Sequence, residues 1–185
     1  MDLDFMEKIE KEREYKDYVV DHIEKVESNF NRLIVPLKGH YNKEVDQAID
    51  LCGQLVPLHD LSKFSKYEFD AYRAYHYPVS DEEKKAAEED YQWAWEHHRS
   101  VNPHHPYFWT KLGYKEDMPL PYIFEMLCDW SAVSQHMAED HGSKDSVVDW
   151  YDLSAKDEKA LFSEKTRKAV DFWVDEIFRK PGVRF

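Results

Sequence analysis

Apolar residues recur at helical spacing along most of this chain. Phe5, Ile9, Tyr18, Val19, Ile23, Val26, Phe30 and Leu33 predict one long amphipathic helix from about Asp2 to Leu33, with His22 on its apolar stripe. Pro36 and Gly39 break the pattern. A second helix then carries Val45, Ala48, Ile49, Cys52, Leu55 and Val56 on one face, and Pro57 bends or tightens the turn that follows. Ser65-Lys66-Tyr67-Glu68 fits a capping box opening a short helix to about Tyr75, whose Phe69, Tyr72 and Tyr75 are expected to pack. Ser80-Asp81-Glu82-Glu83 fits a second, opening a helix from about Asp81 to Arg99 with His98 inward and His97 towards its flank. Pro103, Pro106, Pro119 and Pro121, with Gly113, predict a loop from Ser100 to Pro121 that folds back over the core, anchored by Phe108 and Trp109. A further helix runs to about His141 and stops at Gly142, and a last one spans about Ser163 to Arg179 with Val170, Trp173 and Ile177 inward. The charged run from Lys156 to Lys159 reads as solvated surface. No stretch alternates at strand period and no repeat is present. The expected fold is all-α, a single compact domain over residues 1–185 with about six to seven helices.

Composition narrows the partners. Aromatic residues make up 15% of the chain, charged residues 34%, and glycines number only 5, which fits a folded, well-solvated protein. A formal net charge of -13 argues against double-stranded nucleic acid and against an anionic membrane surface, because such binding needs lysines and arginines to neutralise phosphates. A small phosphorylated substrate is still admissible if a metal supplies the local positive charge. Cys52 and Cys128 sit in apolar periodic segments and read as reduced core thiols. With no leader pattern or long apolar run, they point to a cytoplasmic location. A homodimer is compatible with the chain.

The candidate chemistry centres on Leu58-His59-Asp60-Leu61-Ser62-Lys63-Phe64, which puts an imidazole beside a carboxylate with an ammonium three residues on. Upstream stands His22, downstream Asp129, and between them a histidine run at His97, His98, His104 and His105. Taken alone, His22 is a hydrogen-bonded core histidine, Asp129 a buried aspartate satisfied by an arginine or backbone amides, and Lys63 a solvated lysine. Taken together they form a donor set. A catalytic divalent metal needs several fixed nitrogen or oxygen ligands and an open position. A charge at Asp129, among Met126, Leu127, Trp130 and Val133, is costly unless paired or metal-bound.

The order His22, His59-Asp60, Asp129 resembles the HD-domain superfamily of metal-dependent phosphohydrolases. The chain is also similar, from about Asp17 to Arg167, to a small family of unknown function in bacteria and their viruses that carries a His-Asp-x-Ser-Lys-Phe stretch and a later Asn-Pro-His-His. The first resemblance implies an HD-like helical domain in which His22, His59, Asp60 and Asp129 ligate one metal and Lys63 contacts a substrate phosphate. His98 with His104 or His105 would hold a second metal, as in two-metal relatives, or these histidines orient ligands and bind substrate oxygens. Asp60, Lys63 and His98 then carry the catalysis, and Lys63, His97 and His104 the substrate. The donor set suits one or two ions of Mn, Fe, Co, Ni or Zn without choosing among them. The implied activity is hydrolysis of a nucleotide or another small phosphorylated metabolite. A di-iron HD-like oxygenase and a non-catalytic metal-binding or partner-binding helical protein are the alternatives.

Overall fold

A computed structural model describes residues 3–111, 113–143 and 146–180. Among them the fold is all-α. Nine α-helices are joined by short 3₁₀ and π turns, and the one ladder is a two-residue hairpin. The helices are α1 (Leu3–Asn29), α2 (Lys43–Leu55), α3 (Phe69–His76), α4 (Asp81–Ala86), α5 (Glu88–Val101), α6 (Leu120–His141), α7 (Val147–Leu153), α8 (Lys156–Leu161) and α9 (Glu164–Val174).

α6 is the central element. It is buried along most of its length, from Pro121 to His136, and packs against α1 and α2 on one side and α7 and α9 elsewhere. A larger apolar core joins Val26 of α1 and Phe30 just past its end to Ile49 and Cys52 of α2, Phe124 and Leu127 of α6, and Val170 and Trp173 of α9. A smaller one joins Tyr15 and Val19 of α1 to Tyr72 of α3 and Ala94 of α5. The buried stripe of α1 runs Tyr15, Val19, His22, Val26, so His22 falls at the seam between the two cores. Phe5 and Ile9, expected to face inward, are exposed.

Several boundaries differ from expectation. The first helix loosens into a π turn, Phe30–Ile34, before Pro36 ends it in a 3₁₀ turn. The second stops at Leu55, and Pro57 tightens the chain into a 3₁₀ turn, Val56–Leu58, as its missing amide hydrogen requires. His59 and Asp60 therefore lie past the helix, in a joint between two 3₁₀ turns. No capping box forms at Ser65: α3 starts at Phe69 and the Glu68 side chain is buried elsewhere. Ser80 does cap α4, accepting the Glu83 amide at 3.2 Å, but the Glu83 carboxylate takes the Val79 amide and Arg73. The expected helix over 81–99 is split at Ala87 into α4 and α5. The loop over 100–121 contains a 3₁₀ turn, Pro106–Trp109, and the hairpin Thr110–Lys111 with Tyr114–Lys115. It is anchored as expected by Trp109, whose Nε1 donates to the Pro103 carbonyl at 2.7 Å. α7 and α8 are additional to the expected helices, and the run from Lys156 to Lys159 is not all solvated surface: Lys159 Nζ lies 3.8 Å from the centre of the Tyr151 ring.

A candidate metal centre at the seam of two cores

The joint that carries His59 and Asp60 is conformationally unusual. Asp60 has φ 56 and ψ 15, the left-handed region, and is the only non-glycine residue with positive φ among the described residues. That conformation costs an L-residue roughly 1–2 kcal/mol, least for Asp and Asn. It is retained here because it aims two consecutive side chains into one buried space. His59 is 1% exposed and Asp60 3%.

Around Asp60 the chain assembles donors from five segments. The Nε2 atoms of His98, His104 and His59 lie 3.2, 3.4 and 3.7 Å from Asp60 Oδ1, yet that oxygen, His59 Nε2 and His104 Nε2 have no hydrogen-bond partner. The other oxygen, Oδ2, lies 2.7 Å from Lys63 Nζ and 3.7 Å from His22 Nε2. Asp129 Oδ1 lies 3.1 Å from His22 Nε2 and 3.7 Å from His59 Nε2. Two donor groups result, His22, His59 and Asp129 on one side and Asp60, His98, His104 and His105 on the other, each with ligand atoms within 4.8 Å of one another. Bonds of about 2.0–2.2 Å to one ion at roughly tetrahedral or octahedral angles hold their donors about 2.8–3.6 Å apart. Three of the observed separations, 3.1, 3.2 and 3.4 Å, fall within that range and the three of 3.7 Å lie just beyond it.

The far side of each ring is also arranged. Glu125 Oε1 lies 3.0 Å from His59 Nδ1 and 3.3 Å from His104 Nδ1, so one carboxylate backs a histidine of each group. Glu68 Oε2 lies 2.9 Å from His98 Nδ1, and Ser62 Oγ donates to the same oxygen at 3.0 Å. A carboxylate behind Nδ1 fixes the tautomer and leaves the Nε2 lone pair for a metal. Glu68 and Glu125 were not among the residues singled out from sequence. For Glu125 a signal existed, since it stands one helical turn before Asp129 on the inward face of α6. For Glu68 the local capping pattern masked it.

Charge makes the same point. Asp60, Glu68, Glu125 and Asp129 are buried against one ammonium, Lys63, which leaves carboxylates in excess by three if the imidazoles are neutral. Burial would drive the His59 imidazole down, but Asp60, Asp129 and Glu125 overcome it and raise its pKa to about 10. Burial would raise the Glu125 carboxyl, but His104 and His59 hold it at about 2. Asp60 and Asp129 likewise stay well below the carboxylate range despite burial, through His59 and Lys63 for the first and His22 and His59 for the second. Without a cation, protons do the neutralising. The unpartnered lone pairs, the backing carboxylates and the charge excess together fit one or two divalent ions, and the mixed imidazole and carboxylate set suits the transition metals.

Of the sequence-derived candidates, His22, His59, Asp60, Lys63, His98, His104, His105 and Asp129 converge here. His97 does not. Its Nδ1 lies 2.8 Å from Glu68 Oε1, on the outer side of that carboxylate, and its ring stacks on Trp93. Lys63 is no free surface lysine: it is held by Asp60 and its ammonium lies 5.7 Å from the centre of the Tyr72 ring.

Two cavities flank the cluster. One, of about 430 Å³, is lined by Asp129 and His105, one from each donor group, and by Trp95, Trp130 and Trp150. The other, of about 400 Å³, is lined by Lys63, His76, His136 and the tyrosines Tyr15, Tyr18, Tyr72 and Tyr77. Val133 and Met137 of α6 border both. Cys52 and Cys128 are free, buried thiols, as expected. No helix among the described residues is long and apolar enough to cross a membrane.

Comparison with curated proteins finds no match, and neither does comparison with solved structures. A family profile does match, over residues 11–176, which takes in every residue of the cluster, and the chain belongs to that family, the family of unknown function DUF5662.

Proposed function

We propose that this chain is a metal-dependent phosphohydrolase that cleaves a small phosphorylated metabolite with the help of one or two divalent cations that the buried donors around Asp60 would hold. One observation carries the reading. Asp60 presents its two oxygens to two groups of buried donors, and one residue of each group, Asp129 and His105, lines a cleft large enough for a small substrate. Divalent cations held there supply Lewis acidity and an acidified water, the two things hydrolysis of a phosphoester needs.

The chain's own residues do the rest. Lys63, fixed by Asp60 and lining the other cavity, brings a positive charge to the cluster from that flank. Glu68 and Glu125 set the orientation of His98, His59 and His104 before any substrate arrives. The indole walls of the cleft give the substrate an apolar surface beside the cluster. In the reaction the oxygen of water bonds to phosphorus, the bond from phosphorus to the substrate's alcohol oxygen breaks, and the departing oxygen takes up a proton. The proton that the departing oxygen takes up is balanced by the one that the attacking water gives up.

The test is metal analysis of the purified chain followed by phosphate release from a panel of phosphoesters after loading with Mn, Fe, Co, Ni or Zn. The expected result is about one to two equivalents of metal per chain and metal-dependent release that Asp60→Asn abolishes. Absence of stoichiometric metal overturns the reading. So does oxygen consumption by the Fe(II)-loaded chain with no phosphate released, which transfers the site to the oxygenase class that the same donor set can serve.

A further inference from the structure

The cleft beside Asp129 has a chemistry of its own. Its walls are indoles, Trp95 from α5, Trp130 from α6 and Trp150 from α7, and Trp130 and Trp150 meet edge to face with ring centres 4.8 Å apart. Three carboxylates line it, Asp129, Asp149 and Glu158, and among the described residues no lysine or arginine does. Two of the three are committed. Asp129 faces His22, and Asp149 accepts the Ser146 amide and hydroxyl at 3.0 and 2.7 Å. Glu158 has neither a hydrogen bond nor an ion pair among the described residues, although it is half-buried. Arg99, whose charge is felt at Glu158, lies with its guanidinium over the Tyr107 ring at 4.1 Å and does not line the cleft.

An unpaired, partly desolvated carboxylate among indole faces is unfavourable until something cationic joins it. Indole faces themselves attract cations through their quadrupole, and aromatic cages of this kind take quaternary and alkylated ammonium groups. A second or third phosphate of a nucleotide would face Glu158 and Asp149, with no lysine or arginine among the described lining residues to offset them. Resting on the phosphohydrolase reading for the other end of the substrate, we infer that the tryptophan cleft takes the alcohol portion of that substrate and that this portion carries an organic ammonium group, seated on Trp130 and Trp150 and paired with Glu158. Glu158 is then the specificity determinant, and the metal cluster takes the phosphoryl end. Burial, which raises the Glu158 carboxyl with Arg99 opposing, is the cost that the cation removes.

Choline and its uncharged isostere 3,3-dimethyl-1-butanol separate charge from shape. Each is titrated against tryptophan fluorescence of the metal-loaded chain and of the chain stripped by a chelator. Choline is expected to quench the fluorescence in both states and to bind about tenfold more tightly than the isostere, the size of a partly desolvated cation–π and ion-pair contact. Glu158→Gln should remove most of that preference while leaving the isostere and the melting temperature unchanged. Equal binding of the two probes, no quenching by choline, or a preference that survives Glu158→Gln overturns the inference. Turnover of choline phosphate against 3,3-dimethylbutyl phosphate separates this inference from the reading beneath it. Equal hydrolysis of both removes the ammonium site and leaves the phosphohydrolase, whereas selective choline binding with neither ester cleaved removes the phosphohydrolase and leaves the ammonium site.

Discussion

Glu125→Gln isolates the backing of the cluster from the ligands themselves. The substitution keeps the size of the side chain and removes the charge that lies 3.0 Å from His59 Nδ1 and 3.3 Å from His104 Nδ1. Loss of such a partner costs roughly 10–100-fold in metal affinity, and here a histidine of each donor group loses it. At metal concentrations about 1,000 times the dissociation constant, binding stabilises the fold by about 4.1 kcal/mol; a hundredfold weaker site leaves roughly 1.4 kcal/mol. For a chain of this size, a difference of about 2.7 kcal/mol amounts to roughly 5–11 °C in melting temperature. The assay is the metal-induced rise in melting temperature of both proteins, with affinity from competition against a chromophoric chelator and far-ultraviolet circular dichroism to confirm that the variant folds. A variant that binds metal as tightly as the parent and gains the same increment on loading refutes the role given to Glu125, and with it the argument that the buried carboxylates serve a metal.

Other outcomes follow from the same geometry. Apparent metal affinity should climb with pH through neutrality towards about 10, since the cation displaces the proton that the carboxylates hold on His59, and proton release on metal addition in weak buffer measures it. In the metal-free chain that raised pKa contributes stability that is complete below the ordinary histidine pKa of about 6.5 and is lost as pH rises through about 10; melting temperature against pH reads it. Asp60→Asn should fold, because Asn tolerates the left-handed backbone at φ 56, yet lose metal from both donor groups, whereas Asp60→Ala should add a backbone penalty of roughly 1 kcal/mol visible in a denaturant titration. His98→Ala should lose metal, while His97→Ala, outside Glu68, should change metal content little; elemental analysis of the two variants decides it. Cys52 and Cys128 should both be silent to a thiol reagent in the native state and react on unfolding.

What could be read from the chain alone was the direction of side chains on long helices. His22 and His98 were placed inward by their neighbours at three- and four-residue spacing, and Asp129 by the apolar residues around it; all are buried in one cluster. Local pattern failed where a tertiary partner outbid it. Ser65-x-x-Glu68 has the letters of a helix cap, but Glu68 gains two imidazoles and the Ser62 hydroxyl by turning inward, and α3 begins after it. The break at Ala87 leaves no mark in periodicity because Ala suits either helix. α7 and α8 are seven and six residues long, too short for a 3.6-residue period to declare itself, so the tryptophan cleft they help to form was invisible from sequence. The joint at Asp60 was foreshadowed by Pro57, but its positive φ was not, since no glycine marks it.

Asp60 meets donors that lie far from it along the chain, back to His22 and forward to His104. Hardly any of those encounters is local, so the cluster is completed only after α1, α5 and α6 have docked and the entropy of closing long loops has been spent. A cation captured there arrives late and grips elements that have already met. Its effect therefore falls on escape from the native state rather than on the search for it: the rate of unfolding drops on loading while the rate of folding hardly changes. The left-handed turn at Asp60 thus stands where metal held by these donors would clasp the folded chain, with a strength that follows the supply of metal.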